Sequence, residues 1–298
     1  MLVDPALQSH LLARFQENTG QALSSPEVRS VSGGCIHQSF LLRSPEGAFF
    51  AKINSASCAP LLQAESEGLR HLATTKEIRV PRVLSQGTHG EQAFLLLEAL
   101  DLVPLRAGQA SLGRKLAALH AHQAARHGFP QDNFIGATAQ RNALEENWAD
   151  FFTQHRIEFQ IHLAEKHGYR LADSPRAVDR FHQLLSSHQP APSLLHGDLW
   201  GGNAAELASS QEPVLFDPAV FYGDRETDLA FTRLFGGFEA RFYAAYQEAS
   251  PLPPGWQERS VLYNLYHQLN HLNLFGESYL PAVSQILARL AQASSLPS

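Results

Sequence analysis

The feature that most limits what this chain can fold into is a change of apolar periodicity near residue 100 that is briefly undone near residue 200. Before it, apolar residues come in short runs rich in Val, Phe and Leu: EVRSVS (27–32), QSFLLR (38–43), AFFAKI (48–53), RVPRVL (79–84) and AFLLLE (93–98). Such runs predict strands, and SPEG between the second and third predicts a tight turn, with Pro at its second position and Gly at its fourth. The turn-rich QGTHGEQ separates the last two, and a helix is predicted over 60–74. The opening DPALQSHLLARFQENTG reads as a helix capped by Asp4, with Pro5 in its first turn, Leu7, Leu11 and Phe15 on one face, and Gly20 past its end.

After residue 100 the helical period takes over: Leu112, Leu116 and Leu119, then roughly 146–167. SPRAVDRFHQLLSS follows, with Ser174 capping, Pro175 at the first helical position, and Val178, Phe181 and Leu185 on one face. Two short strand-like runs, SLLH (193–196) and PVLFD (213–217), interrupt this pattern and bracket HGDLWGGN. The plan is a small antiparallel sheet lobe with one internal helix over residues 1–100, then a larger helical lobe over 101–298.

Bulk properties narrow the partners. The 298 residues carry a formal charge of −6, with 44% hydrophobic and 17% charged residues. Lys and Arg do not cluster, so no nucleic-acid partner is expected. The start MLVDPALQSHLLARF lacks a basic segment followed by an apolar run, and no apolar stretch approaches about 18 residues. A cytoplasmic monomer that takes a small polar substrate, with no membrane partner, is the expectation. Cys35 and Cys58, without metal-ligand spacing, fit reduced thiols rather than a disulfide or a zinc site.

In the bracketed stretch Asp198 and Asn203 lie five residues apart, and Asp217 follows 19 residues after Asp198 at a strand end. A carboxylate able to accept a hydroxyl proton, with an amide and a second carboxylate able to ligate a hard cation through oxygen, is the equipment of phosphoryl transfer. That chemistry consists mostly of positioning and charge neutralisation, so few side chains suffice.

HGDLWGGN resembles the H-x-D-x-x-x-x-N catalytic loop of protein-kinase-like phosphotransferases, and FDPA from Phe216 resembles their metal-binding D-F-G segment. The resemblance implies an α+β, two-lobed protein-kinase-like fold that uses ATP and Mg²⁺, with Asp198 as catalytic base and Asn203 and Asp217 as metal ligands. It also calls for a phosphate-pairing lysine on a strand and a glutamate on the next helix. Lys52 in AFFAKIN fits the first role; its stem alternates into a run of Phe and Ala and should be partly buried. Glu65 fits the second better than Glu67, standing four before Leu69 and seven before Leu72 on the inward face. Gly33 and Gly34 would let backbone N–H groups approach the phosphates, and main-chain groups of Glu98, Ala99 and Leu100, at the lobe junction, would meet adenine.

Two departures from protein kinases point to a small acceptor: Gly197 stands where the catalytic-loop Arg would be, and DPA replaces D-F-G with no A-P-E after it. A finer likeness covers nearly the whole chain. VSGGCIHQSF, GFPQDNFIGATAQRN, ENWADFFTQHR, HGDLWGGN, FDPAVFYGDRETDLAFTRLFGGF and YNLYHQLNHLNLFGESY are similar to the fructosamine kinase (ketosamine-3-kinase) family. That likeness implies phosphorylation of the C3 hydroxyl of ketosamines, on free or protein-bound amines, after which the sugar is shed. Other acceptors of the same fold, an aminoglycoside or an amino alcohol such as choline, and an ATP-binding pseudokinase are the alternatives; the sugar itself stays open.

Trp200 could offer a flat face to a sugar ring or serve as a buried structural residue, and Asp224, Arg225 and Glu226 could bond hydroxyls or the ketoamine nitrogen. Asp228, at a helix start, is expected to brace the catalytic loop, and His196 to pack beneath it. Cys35, in the Gly-rich loop, is expected to block ATP if oxidised.

Overall fold

The structure, a computed structural model, describes residues 4–31 and 36–292. Gly33, Gly34 and Cys35, expected at the phosphates, lie outside the described residues. The chain divides into two compact units, residues 1–105 with 205–217, and residues 106–204 with 218–298. The sequence places the boundary at residue 100 and does not anticipate that 205–217 rejoins the first unit.

In the first unit, helix α1 (Pro5–Thr19) begins at Asp4, whose carboxylate accepts from the Leu7 amide at 3.2 Å, and ends at Gly20. Leu7, Leu11 and Phe15 are its buried face, as the spacing predicts. Strands β1 (Glu27–Val31), β2 (Gln38–Ser44) and β3 (Gly47–Ser55) are followed by helix α2 (Ala59–Thr75) and strands β4 (Val83–His89) and β5 (Gln92–Glu98). They form an antiparallel sheet in the order β1-β2-β3-β5-β4. Phe49, Ala51 and Ile53 of β3 join α1 residues in one core, with Phe15 stacked on Phe49 at 5.0 Å. Since side chains alternate along a strand, Lys52 points to the other face.

RVPRVL at 79–84 does not form the strand predicted for it. Pro81 has no N–H to give a ladder, and pairing starts at Val83 and runs on through the first half of QGTHGEQ to His89. Arg79 instead makes an isolated parallel bridge to Val214. Strand β6 (Leu102–Pro104) completes this part of the chain.

The second unit opens with helix α3 (Gln109–His120), the two-stranded β7 (Asn133–Ile135) and β8 (Thr138–Gln140), and a long helical stretch. That stretch, predicted as one helix over 146–167, is α4 (Trp148–Phe152), a π-helical turn over Thr153–Glu158, and α5 (Phe159–Lys166). Inside the π turn Arg156 is fully buried, donating to the Arg141 carbonyl and to Asn142 Oδ1 at 2.8 Å, with the Phe221 ring 4.3 Å away. Helix α6 (Ser174–Leu185) starts one residue earlier than predicted, with Ser174 already helical and Asp173 at the cap position.

Strand β9 (Ser193–Leu195) then leads into the catalytic-type loop. After that loop, β10 (Ala204–Leu207) and β11 (Pro213–Leu215) pair in the order β11-β10-β6 as part of the first unit. The chain re-enters the second unit with β12 (Phe221–Gly223), which pairs antiparallel with β9 in the register Leu195↔Phe221. Helices α7 (Glu226–Leu234), α8 (Ala240–Ala249), α9 (Trp256–Phe275) and α10 (Leu280–Gln292) finish the chain. Trp148, Phe151, Phe152, Phe181, Leu195, Phe221 and Tyr263 lie in one continuous core. Among the described residues, no helix is long and apolar enough to cross a membrane.

Candidate active site

Two clusters contain the residues that the motifs single out, one in each unit. In the first, Lys52 Nζ lies 2.7 Å from Glu65 Oε1 and 2.5 Å from Asp217 Oδ1. Lys52 and Glu65 are nearly inaccessible, while the Asp217 side chain keeps 40% of its exposure. Sheet alternation aims Lys52 at α2, and Glu65 stands on α2's buried side, near Leu62, Ser66 and Leu69. Strand β11 delivers Asp217, anchored by the Leu215 amide donating to the Arg79 carbonyl at 3.0 Å. Asp217 has φ 56°, a left-handed conformation that Asp tolerates better than most residues.

Burial opposes the charge on Lys52, but the Asp217 and Glu65 carboxylates outweigh it and hold the ammonium well above its ordinary pKa. Burial pushes Glu65 up, the Lys52 charge opposes that, and the second carboxylate, Asp217, adds to it. One ammonium shared by two carboxylates leaves an acid in excess, and the buried one bears the cost.

Sequence reasoning passed over His37, which sits beside this cluster. Its Nδ1 is 2.9 Å from Asn54 Nδ2, and burial, with Lys52 nearby, pushes its pKa down to about 4, so the ring is neutral at pH 7. A histidine three residues past Gly34 was its only signal. The main chain of Glu98 is partly taken up by the fold. Its amide donates to the Arg82 carbonyl at 2.9 Å, and its carboxylate pairs with Arg79 and accepts from the Arg82 amide at 3.0 Å. The Glu98 amide is therefore committed inside the sheet region, whereas Ala99 and Leu100 lie beyond the strand end.

In the second unit, the loop 196–203 is fixed mainly through its backbone. Asp228 accepts from the His196 amide at 2.8 Å and from the Gly197 amide at 2.9 Å, and His120 Nε2 lies 3.2 Å from the same carboxylate. Burial alone would raise the Asp228 pKa; the hydrogen bond and charge of His120, with the loop amides, hold it below the ordinary carboxylate range. Asp228 thus braces the loop as its place at a helix start suggests. His196 is fully buried and accepts through Nδ1 from the Asp198 amide at 3.3 Å, while its carbonyl takes the Ala219 amide at 2.9 Å.

Gly197 explains the missing arginine. Its φ is 82°, and a Cβ there would fall onto the Ala219 carbonyl oxygen, so a side chain is excluded on both counts. Asn203 donates through Nδ2 to both the Asp198 carbonyl and Asp198 Oδ2, each at 2.9 Å, fixing the carboxylate's direction. The amide's Oδ1 is left on its other side.

Asp224, Arg225 and Glu226, expected to contact substrate, are turned to other partners. Asp224 is buried and accepts from His188 Nε2 at 2.7 Å, the Tyr263 hydroxyl at 2.6 Å and the Glu226 amide at 3.0 Å. Glu226 takes a bidentate pair from Arg259 at 2.6 and 2.7 Å. Arg225 donates to the Ser250 carbonyl at 3.0 Å, to the Ser250 hydroxyl and to the Pro251 carbonyl. Their partners come from α9, from the end of α8 and from His188 after α6, so this acidic motif ties these segments together. His188, Asp224 and Glu226 lie close enough to hold a cation, but Arg259 already neutralises Glu226. Trp200 remains at the surface, 38% exposed.

Comparison with known proteins agrees with this geometry. The fructosamine kinase family model matches residues 7–293. A probable ketoamine kinase of Synechocystis is 45% identical over 287 residues, covering 95% of this chain and 96% of its own. The solved structure of a candidate fructosamine-3-kinase from Haemophilus somnus superposes with a TM-score of 0.87 at 30% identity, over 94% of this chain and 96% of that one. An aminoglycoside phosphotransferase in ternary complex with ADP and hygromycin B superposes with a TM-score of 0.64 at 16% identity, over 97% of this chain and 100% of that one, a likeness of fold alone. The chain has the kinase-like α+β fold and belongs to the fructosamine kinase family, enzymes that transfer phosphate to a hydroxyl group.

Proposed function

We propose that this enzyme transfers the γ-phosphate of ATP to the C3 hydroxyl of a ketosamine. The observation that carries the reading is the Lys52 ammonium held between Glu65 and Asp217, set beside family membership over nearly the full chain. A buried, permanently charged lysine clamped by a helix carboxylate is suited to pairing with nucleotide phosphates, because its position does not have to be found anew with each turnover. Asp217 is the partner that can be released, being the more exposed of the two carboxylates.

Asp198, whose carboxylate is oriented by the Asn203 amide, accepts the proton of the attacking hydroxyl. Asn203 Oδ1 in the second unit and Asp217 in the first are each a hard oxygen donor of the kind that a divalent cation takes. Mg²⁺, when bound, would neutralise charge on the phosphate oxygens. His37 is neutral at working pH and can donate a hydrogen bond without adding charge near Lys52. A phosphate at C3 becomes a leaving group once C1 loses a proton and a C1=C2 enol forms. Its expulsion and hydrolysis of the resulting imine free the amine, which makes the reaction a deglycation.

Initial rates of ADP formation test the acceptor class. A fructosamine or a ribulosamine should be turned over, while the parent amine, fructose, choline and an aminoglycoside should not. Turnover of choline or the aminoglycoside in place of the fructosamine would reject the reading.

A further inference from the structure

Of the six exposed large hydrophobic side chains among the described residues, three stand in one file: Trp200 (38% exposed), Phe235 (41%) and Phe275 (47%). The Trp200 and Phe235 rings meet edge to face at 6.2 Å, Phe235 and His271 at 4.8 Å, and His271 and Phe275 at 5.3 Å. The rings come from three separate segments: the catalytic-type loop, the residue after α7, and the last turns of α9. Beneath them, Phe231 packs on Phe235 at 5.8 Å and stacks on His267 at 3.5 Å, so the file rests on buried rings.

Its inner end is set by the loop itself. A Cβ on Gly202 would fall into the Trp200 ring, so the indole lies back over the Gly202 backbone, and it does so two residues after Asp198. His271 Nδ1 donates to the His267 carbonyl at 2.8 Å, and burial pushes the ring's pKa down, so the file carries no charge at neutral pH. Exposed rings gathered in contact are uncommon on a soluble surface unless they bind something. Here the file starts at the loop to which the acceptor's hydroxyl must come.

A ketosamine nitrogen bears the sugar on one side and a substituent on the other. With the sugar at Asp198, a substituent directed toward Trp200, two residues on, would meet this file. We propose that Phe235, His271 and Phe275 form a subsite for the nitrogen substituent, selecting ketosamines of amines with a flat apolar group over those of small polar amines. This rests on the ketosamine reading.

The test compares kcat/KM for N-fructosyl-benzylamine and N-fructosyl-glycine in the wild type, Phe235→Ala, Phe275→Ala and Phe275→Leu. The wild type should favour the benzylamine adduct by about tenfold or more, the range expected for one apolar group seated against rings. Each alanine variant should cut that ratio by roughly fivefold to tenfold, through KM, and Phe275→Leu should restore part of it. Phe235 also packs on Phe231, so Phe275→Ala, at the most exposed ring, keeps the test independent of folding. A wild-type ratio near one, or an alanine variant that loses equally on both substrates, would overturn the subsite while leaving the ketosamine reading intact. Turnover by the wild type of neither these adducts nor their N-ribulosyl counterparts would overturn both.

Discussion

Lys52 in the first unit and Asp198 in the second are both charged groups drawn partly or wholly out of water, and they are held by different means. Lys52 is held by other charges, Glu65 at 2.7 Å and Asp217 at 2.5 Å. Asp198 is held by a loop whose backbone is pinned: two amides to Asp228, one carbonyl to the Ala219 amide, and the Asn203 side chain spanning the turn. Charges bound to charges can exchange partners when a ligand of the same sign arrives. A loop tied through its amides keeps one geometry whether or not ligand is present. The first arrangement suits a group that must receive phosphates, the second a base that must sit at a fixed distance from a hydroxyl.

That contrast predicts which changes damage chemistry alone and which damage chemistry and fold together. The largest effect is expected for Asp198→Asn, which keeps the shape of the loop and removes the proton acceptor. Steady-state kinetics should show kcat lowered about a thousandfold or more, with nucleotide binding by calorimetry within about threefold of wild type. Lys52→Met comes next, with kcat/KM for ATP lowered roughly a hundredfold to a thousandfold. Its melting temperature should fall by only a few degrees, because the stranded Glu65, already pushed up by burial, can take a proton once its cation is gone.

Asp228→Ala should behave differently and break the symmetry between the clusters. It strands the His196 and Gly197 amides and His120, so thermal denaturation should report a loss of about 3 kcal/mol together with a fall in kcat. A variant with full stability and low kcat would assign the brace no structural share.

The smallest effect concerns pH. Burial lowers His127 to about 4 and His267 to about 3. Their folded pKa values lie below the unfolded value, so the unfolded chain binds more protons between pH 6.5 and about 4. The stability they contribute is complete above the unfolded value and is lost as pH falls through that window. Denaturant unfolding at pH 7 and pH 5 should show it, and His127→Phe, which keeps a ring against Trp148, should flatten the difference by about 1 kcal/mol.

The residues legible in the sequence share one property: their roles follow from short-range order. Asp198, Asn203 and Asp217 stand at fixed offsets between short strands, Lys52 follows from strand alternation, Glu65 from helix spacing, and Asp4 and Gly20 from capping chemistry. What was not legible depends on partners far along the chain. Asp224 and Glu226 look like free acids until Tyr263 and Arg259, more than thirty residues on, reach them. The strand expected at 79–84 moved because Pro81 outweighs the apolar pattern around it. The π turn around Arg156 and the return of 205–217 to the first unit have no local signature at all. His37, three residues past Gly34, has only that neighbourhood as a local signature.

The account's central claim is that Asp198 activates the C3 hydroxyl of a ketosamine toward ATP. The most direct measurement is ³¹P and ¹³C NMR of an N-fructosyl amine incubated with the enzyme and Mg·ATP. The account predicts a new phosphate monoester whose phosphorus couples to C3 and its proton, formed by the wild type and not by Asp198→Asn. Phosphate on another carbon, or the same product at the same rate from Asp198→Asn, would contradict it.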